Sequence, residues 1–272
     1  MATTMELHFI DVGQGNMTLL RFPNGTTWLY DCNITEDNED AVFRYVKKAM
    51  NGRTRFQVFV CSHRDADHMR GVKKVHNKYP IGEIWDTDVP GTTTNSQEYR
   101  EYMDLRRQLG GKTIEPRTYE EVGDVTVRWM NGKEDWLSGA NDQSIVVKIE
   151  YGSSALLAAD TPHIPWEKKI VSFYDAKLSA DILLGAHHGS DTFFNDPPSD
   201  EYEAHMRKIK PDMTLLSVGP NNHGLPDSNA IRLYKKHSNG SDSGNKLYRT
   251  DQQGNMKLTL KKAGGWSLSP NQ

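Results

Sequence analysis

The most informative segment of this chain is Ser62-His63-Arg64-Asp65-Ala66-Asp67-His68. It follows the apolar run Val58-Phe59-Val60-Cys61 and precedes a polar segment with a helical pattern. A buried strand that ends in a tight loop of imidazoles and carboxylates can direct several side chains into one small volume, as a metal centre requires. A charged surface loop is the alternative, but alternating His and Asp residues that end in an adjacent Asp-His pair disfavour it. We therefore take His63, Asp65, Asp67 and His68 as candidate metal ligands.

Three later strand ends carry residues suited to the same centre. Asp160 closes the apolar run at 155–159, where an isolated carboxylate needs a partner or a metal ion. His187 and His188 follow the strand predicted at 181–184, and His223 follows the strand predicted at 212–217. A purely structural role remains open for each of these residues, and it is least favoured for the adjacent pair of histidines.

The composition narrows the class of protein. The chain has 272 residues, of which 36% are hydrophobic, and its apolar runs are only as long as strands, so no membrane span is expected. No signal peptide is evident, and two cysteines are too few for a disulfide framework, so a cytoplasmic protein with reduced thiols is expected. The formal charge of −3 is near neutral, so any contact with nucleic acid must come from a local patch.

Apolar periodicity predicts two β-rich halves, each followed by helices. The predicted strands lie at 5–11, 17–22, 27–31, 57–61, 82–86, 124–130, 144–150, 154–159, 181–184 and 212–217, with a final hairpin at 246–260. The predicted helices lie at 39–50, 69–79, 97–109, 166–175, 199–208 and 227–237. This pattern indicates an α/β fold of one domain over residues 1–272, with two sheets packed face to face and helices outside. The polar loop at 87–96 is either a lid over the site or an ordinary surface loop.

A series of short motifs runs through nearly the whole chain in a fixed order. They are Asp-Val-Gly-Gln-Gly at 11–15, Pro-Asn-Gly at 23–25, Tyr-Asp at 30–31, Ser-His-x-Asp-x-Asp-His at 62–68, Asn-x-x-Ser at 141–144, Ala-Asp at 159–160, His-His-Gly-Ser at 187–190, Ser-Val-Gly at 217–219 and Tyr-Arg-Thr-Asp at 248–251. The series resembles the metallo-β-lactamase superfamily, and within it the soluble domain of ComEC-type competence proteins. The resemblance implies an αββα sandwich, one or two divalent metal ions and hydrolysis by a metal-activated water.

The resemblance also implies roles for individual residues. The metal ligands would be His63, Asp65, Asp67, His68, Asp160 and His187, with His188 a competitor for the place of His187. Our own hypothesis for the reaction is that Asp67 or Asp160 would orient the attacking water, and that His223 would protonate the leaving oxygen or contact the phosphate. Asn141, near where many relatives have a histidine, and Ser190 are further candidates.

The chain departs from the ComEC-type pattern at three places. Asn16 replaces an aspartate, Arg70 replaces a glycine, and Leu225 stands where the branch has a histidine. His223, two residues before Leu225, can offset the missing imidazole.

The expected charge of the metal site favours an anionic substrate. Two divalent ions about 4 Å apart repel each other by roughly 15–20 kcal/mol at an effective dielectric constant of 20, so carboxylates must surround them. Three aspartates would leave a net charge of about +1, which suits a phosphodiester in a nucleic acid or nucleotide, and they favour Mn²⁺ without excluding Zn²⁺ or iron. Hydrolysis of a lactone, thioester or amide, and a metal-holding module without turnover that binds a protein partner, are the alternative hypotheses.

Overall fold

The computed structural model of the protein describes residues 3–195, 200–241 and 244–272. The strands, in chain order, are β1 (Thr4–Phe9), β2 (Thr18–Arg21), β3 (Thr27–Tyr30), β4 (Cys32–Asn33), β5 (Phe56–Val60), β6 (Ile81–Asp86), β7 (Gly111–Thr113), β8 (Thr118–Val122), β9 (Val125–Trp129), β10 (Val147–Tyr151), β11 (Ser153–Leu157), β12 (Ile182–Leu184), β13 (Met213–Leu216), β14 (Leu247–Arg249), β15 (Met256–Lys261) and β16 (Trp266–Ser269).

The α-helices, in chain order, are α1 (Glu39–Met50), α2 (Ala66–Met69), α3 (Val72–Lys78), α4 (Gln97–Leu109), α5 (His163–Pro165), α6 (Val171–Tyr174), α7 (Ala204–Ile209), α8 (Ser228–His237) and α9 (Thr250–Gln253). A π-helical turn at Trp166–Ile170 joins α5 to α6. None of the helices in the described part of the chain is both long and apolar enough to cross a membrane.

The strands form two mixed sheets. One has eight strands in the order β16-β15-β1-β2-β3-β5-β6-β7, and the other has seven in the order β14-β13-β12-β11-β10-β9-β8. In the first sheet β1, β2 and β3 are antiparallel, as predicted, and β3, β5 and β6 are parallel. In the second sheet β11, β12 and β13 are parallel. The parallel strands matter for function, because the predicted site residues follow their carboxyl ends.

Alternating apolar residues create the core between the two sheets. Leu7 on β1 and Trp28 on β3 face Val127 on β9 and Leu157 on β11 across this layer. Helices α1, α3 and α4 cover the outer face of the first sheet, and α5 to α8 cover the outer face of the second. The predicted α/β architecture, with two packed sheets and helices outside, is confirmed.

The predicted helix at 69–79 is interrupted. Arg70 has an extended backbone, and Gly71 has a φ of 78°, a left-handed conformation that glycine adopts without steric cost. Helix α2 therefore ends at Met69, and α3 begins at Val72. The break separates α2, which lies at the end of the segment at 62–68 (the ligand loop), from α3.

The predicted hairpin at 246–260 is wrong. Strand β14 pairs with β13 in the second sheet, whereas β15 pairs with β1 in the first. The actual hairpin joins β15 to β16 through Gly264 and Gly265, which have φ values of 91° and 85°. Strands β4, β7, β8 and β16 were not predicted. The helix predicted at 199–208 begins at Ala204, with residue 199 outside the described residues.

Candidate metal centre

The ligand loop leaves the carboxyl end of β5 and is tied to both sheets. The amide of Cys61 donates to the carbonyl of Trp85 in the first sheet, and the amide of Ile145, just before β10, donates to the carbonyl of Ser62. The loop brings the imidazoles of His63 and His68 together, with ring centroids 4.1 Å apart. Both side chains are almost completely buried.

Asp31 and Ser62 orient these two imidazoles. One oxygen of the Asp31 carboxylate lies 2.8 Å from Nδ1 of His68 and accepts a hydrogen bond from the Ser62 hydroxyl at 2.9 Å. The same hydroxyl lies 3.0 Å from Nδ1 of His63. Since the Ser62 proton is directed to Asp31, Nδ1 of each histidine carries its own proton, and each Nε2 is free for a metal ion.

The sequence analysis did not assign a role to Asp31. It was noted only as part of the Tyr-Asp motif, although it follows the apolar strand β3 as Asp160 follows β11. An isolated carboxylate after a core strand was the signal that identified Asp160, and the same signal was present at Asp31.

Asp160 is the point where four histidines converge. Its Oδ1 lies 3.2 Å from Nε2 of His68. Its Oδ2 lies 3.6 Å from Nε2 of His187, 3.6 Å from Nε2 of His188 and 3.9 Å from Nε2 of His63. The ligand loop belongs to the first sheet and Asp160 to the second, so the site spans the edge of the sandwich.

The two late histidines occupy different positions. His188 is buried, its Nδ1 lies 2.8 Å from the carbonyl oxygen of Ser217, and its Nε2 lies 3.2 Å from Oδ2 of Asp67. The His187 side chain is 29% exposed, and its Nδ1 lies 3.3 Å from the hydroxyl of Thr192. Asp67, His68, Asp160 and His188 form the group whose candidate ligand atoms all lie within 4.8 Å of one another. The structure therefore places His188 in the inner group, with His187 beside it at the mouth.

Several buried atoms of the site make no hydrogen bond of good geometry in the described chain, although two of their contacts with carboxylate or imidazole atoms are as short as 3.2 Å. These atoms are Nε2 of His63, His68 and His188, and Oδ1 of Asp160. Burying a polar atom without a partner is costly. A divalent ion would satisfy these atoms together, because neutral imidazole nitrogens and carboxylate oxygens are its usual ligands. The residues present thus fit a metal ion.

Electrostatics in the site favour positive charge among the carboxylates. Burial alone would raise the pKa of Asp160, but His68, His188 and His187 hold that pKa well below its usual range. Burial alone would lower the pKa of His68 and of His188, but Asp160 and the neighbouring carboxylates raise both. Burial and the proximity of His68 lower the pKa of His63. Cationic charge, from protons or from a metal ion, is therefore stabilised at Nε2 of His68 and of His188, which face Asp160 and Asp67.

The glycine turn at 13–16 packs against the backbone of Asp67. The amide of Asn16 donates to the carbonyl of Asp67 at 3.1 Å, and a Cβ on Gly15 would lie only 2.7 Å from that oxygen. Gly15 also has a φ of 141°. The Ser217 hydroxyl donates to the carbonyl of Gly15 at 2.7 Å, which links this turn to the strand end beside His188. Glycine is needed here for close approach of the backbone.

Asp65 lies outside the inner group. Its Oδ2 is 3.8 Å from Nε2 of His63, and both of its oxygens accept hydrogen bonds from Thr92, in the polar loop at 87–96.

A cavity of about 280 Å³ opens onto the inner group, and His223 is among its lining residues. Its lining consists of Gln14, Asp67, His187, His188, Ser190, His223 and Leu225. The Ser190 hydroxyl is hydrogen-bonded to Thr192. Asn141 has a buried side-chain oxygen without a partner among the described residues, and its loop reaches the Asp160 loop through the Ser144 and Thr161 hydroxyls, 2.8 Å apart.

No protein-family model matches the chain. The competence protein ComA of Neisseria gonorrhoeae is 26% identical over 258 residues, which cover 93% of this chain and 32% of ComA. An uncharacterized protein of Escherichia coli strain K12, YcaI, is 24% identical over 195 residues, which cover 69% of this chain and 22% of YcaI. The chain thus spans about a third of the length of ComA and about a fifth of that of YcaI. The match to ComA is consistent with the predicted resemblance to ComEC-type proteins.

Solved structures show similarity over nearly the whole chain. The diiron β-hydroxylase CmlA of Streptomyces venezuelae has a TM-score of 0.58 and 15% identity, covering 96% of this chain and 55% of CmlA. YhfI of Bacillus subtilis, a metallo-β-lactamase fold protein, has a TM-score of 0.57 and 14% identity, covering 98% of this chain and 100% of YhfI. A diphosphatase of the PhnP family has a TM-score of 0.53 and 14% identity, covering 95% of this chain and 99% of that protein. Together with the two sheets and the histidine–aspartate site between them, these similarities confirm that the chain has the metallo-β-lactamase fold.

Proposed function

We propose that the protein is a metal-dependent hydrolase that cleaves phosphodiester bonds in a nucleic acid or a nucleotide. The observation that carries this proposal is the convergence of buried histidine Nε2 atoms, without hydrogen-bond partners in the described chain, on Asp160. Asp67, His68, Asp160 and His188 would hold a divalent ion there, which would supply Lewis acidity and lower the pKa of a water molecule towards neutrality.

The charge of the site supports an anionic substrate. Asp65, Asp67 and Asp160 provide three negative charges, and two divalent ions would provide four positive charges, so the site would carry a net charge of about +1. A phosphodiester complements that charge, whereas a neutral lactone or amide does not. The mixture of imidazole and carboxylate ligands suits Mn²⁺, Zn²⁺ or iron.

The chain's own residues divide the remaining tasks. Asp67 lines the cavity, so its carboxylate can accept a hydrogen bond from a water molecule and orient it. His223 also lines the cavity and can donate a proton from its ring to the leaving oxygen. Asp160 is held by the histidines around it and keeps its charge in the site.

The comparisons add support of two kinds. Of the two relatives, the competence protein covers more of this chain. The PhnP-family diphosphatase, which has the same fold, acts on a phosphorus centre. The fold also occurs in a diiron β-hydroxylase, so the reaction must be tested directly.

The test is a panel of substrates with defined metal content. Chelator-treated protein is reloaded separately with Mn²⁺, Zn²⁺ and Fe²⁺ and assayed on single- and double-stranded DNA, RNA, a cyclic nucleotide and a nitrophenyl phosphodiester, with a lactone and a thioester alongside. We expect metal-dependent cleavage of the phosphodiesters and its loss in Asp67→Ala. Cleavage confined to the lactone or thioester would support the alternative hydrolase, and bound metal without turnover on any substrate would support the metal-holding module.

A further inference from the structure

The segment that follows β6 packs directly on the ligand loop. The guanidinium of Arg64, between His63 and Asp65, donates to Oδ1 of Asp88 at 2.8 Å. A Cβ on Gly91 would lie 1.9 Å from the carbonyl oxygen of Arg64, so the two backbones are in contact with no room for a side chain. Part of the polar loop at 87–96 is therefore built into the site.

Thr92 holds both oxygens of the Asp65 carboxylate. Its amide donates to Oδ1 at 2.6 Å and its hydroxyl donates to Oδ2 at 2.7 Å. The two bonds define the plane of the carboxylate and place Oδ2 3.8 Å from Nε2 of His63. A carboxylate has about four lone-pair sites, so Asp65 keeps acceptor capacity for a cation after binding Thr92.

The start of this segment is anchored by a buried ionic network. Asp86, at the end of β6, is fully buried and accepts hydrogen bonds from Nε of Arg64 and Nε of Arg106, both at 2.9 Å, and from the hydroxyl of Tyr102 at 2.5 Å. These bonds connect β6, α4 and the ligand loop. The network thus fixes the start of the segment that carries Thr92. Such support is needed if a metal ligand is to be ordered before the ion binds.

The site has two parts that differ in how their ligands are held. The inner group of Asp67, His68, Asp160 and His188 is ordered by Asp31 and by the carbonyl of Ser217. His63, Asp65 and Asp160 surround a second position, where Nε2 of His63 is buried without a partner in the described chain. Asp65, whose side chain is 19% exposed, is the outermost carboxylate of this position and depends on Thr92 for its orientation.

We propose that Thr92 is a positioning residue that sets the affinity of this second position without affecting the inner group. The inference rests on the proposed function, because it assumes that the site binds divalent ions. Partners that orient a metal ligand typically change metal affinity by about 10–100-fold, and we expect an effect of that size at one ion only.

The experiment is a calorimetric titration of the chelator-treated full chain with Mn²⁺ alone. The wild type should show a tight and a weaker binding step. Thr92→Val removes the hydroxyl and keeps the size of the side chain, and it should weaken one step by about 10–100-fold and leave the other unchanged. Thr92→Ser restores the hydroxyl and should bind both ions like the wild type. Asp65→Ala should abolish the step that Thr92→Val weakens.

Thr93→Val, at the exposed neighbouring threonine, is the matched control and should leave both steps unchanged. Melting temperatures in chelator establish that each variant is folded, and Thr92→Ala replaces Thr92→Val if the valine variant is not. A single Mn²⁺ in the wild type, or unchanged affinities in the folded hydroxyl-free variant, would overturn the inference while leaving the proposed function intact. A wild-type protein that binds no Mn²⁺, and no Zn²⁺ or Fe²⁺ when the titration is repeated with each, would overturn both.

Discussion

In the candidate metal centre, the atom that faces Nδ1 of each imidazole fixes the orientation of the ring. For His68 that atom is a buried carboxylate oxygen of Asp31, and for His188 it is the carbonyl oxygen of Ser217. For His63 it is the hydroxyl of Ser62, which in turn donates to Asp31. Asp31 therefore controls two histidines without facing the cavity.

Replacement of Asp31 by asparagine should weaken metal binding by about 10–100-fold. The amide keeps the size of the side chain but removes the charge that holds the Nδ1 proton of His68, so its Nε2 becomes a poorer ligand. Titration with Mn²⁺ measures the effect, and Asp37→Asn, at an exposed loop position, is the control. Wild-type affinity in Asp31→Asn would show that the negative charge of Asp31 has no role in metal binding.

His223→Ala should lower the turnover number by about 100-fold or more, because the variant lacks the group proposed to protonate the leaving oxygen. Its metal content should match that of the wild type, since His223 lines the cavity outside the inner group. A nitrophenyl phosphodiester has a good leaving group and should recover much of the rate if the role is proton donation. No recovery would indicate contact with the phosphate instead, and normal rates on both substrates would remove His223 from the mechanism.

Helix α7 carries a histidine that is packed among aromatic rings. His205 is fully buried, with ring centroids 4.1 Å from Phe193, 5.0 Å from Tyr202 and 5.7 Å from Trp166. Burial lowers the pKa of His205 well below its usual value, and the nearby His237 and His163 act in the same direction, against Glu203. His205 belongs to the core of the second sheet rather than to the metal centre.

The buried His205 should make the protein less stable as the pH falls. The folded state keeps His205 neutral, whereas the unfolded chain binds a proton below about pH 6.5, so the stabilisation is complete above that pH and declines below it. The slope for one proton is at most about 1.4 kcal/mol per pH unit. Urea unfolding between about pH 7 and about pH 5 should show a smaller loss of stability in His205→Phe than in the wild type. Equal losses would show that His205 is protonated in the folded protein.

The elements differ in how well their sequences predict them. Helix α1 was predicted at the residues where it occurs, because Val42 and Val46 share its apolar face and Glu39 and Asp40 favour its amino end. Strand β14 was assigned to a hairpin with β15, because both have apolar residues and lie close in the chain. Its true partner, β13, is more than thirty residues away, with Thr214 opposite Leu247, and no local pattern encodes that pairing.

The metal centre joins the two halves of the molecule. Asp67 and His68 come from the loop after β5 in the first sheet, and Asp160 and His188 come from loops after β11 and β12 in the second. Two further loops from the two sheets are in contact, since a Cβ on Gly219, after β13, would lie 2.4 Å from Cα of Gly13, after β1. An ion bound by both sets of ligands would therefore oppose separation of the sheets.

Metal binding should accordingly raise the stability of the whole chain. At an Mn²⁺ concentration about 100 times the dissociation constant, the free energy of unfolding should rise by about 2.7 kcal/mol, since the unfolded chain does not hold the ligands together. Thermal melts with and without Mn²⁺ measure this effect, and Asp160→Asn should remove most of it. A melting temperature that is independent of Mn²⁺ in the wild type would argue against binding across the two sheets.

Local sequence was sufficient to select the ligand loop, Asp160 and the late histidines as candidates, because each follows an apolar strand and polar residues at strand ends stand out against that background. It was not sufficient to choose between His187 and His188, since that choice depends on left-handed backbone angles of 48° and 53° and on the carbonyl of Ser217, 29 residues away. The contacts of Asp31 with His68 and of Thr92 with Asp65 likewise join residues 37 and 27 positions apart. Such contacts depend on how strands and loops pack in three dimensions, and they cannot be derived from the spacing of residues along the chain.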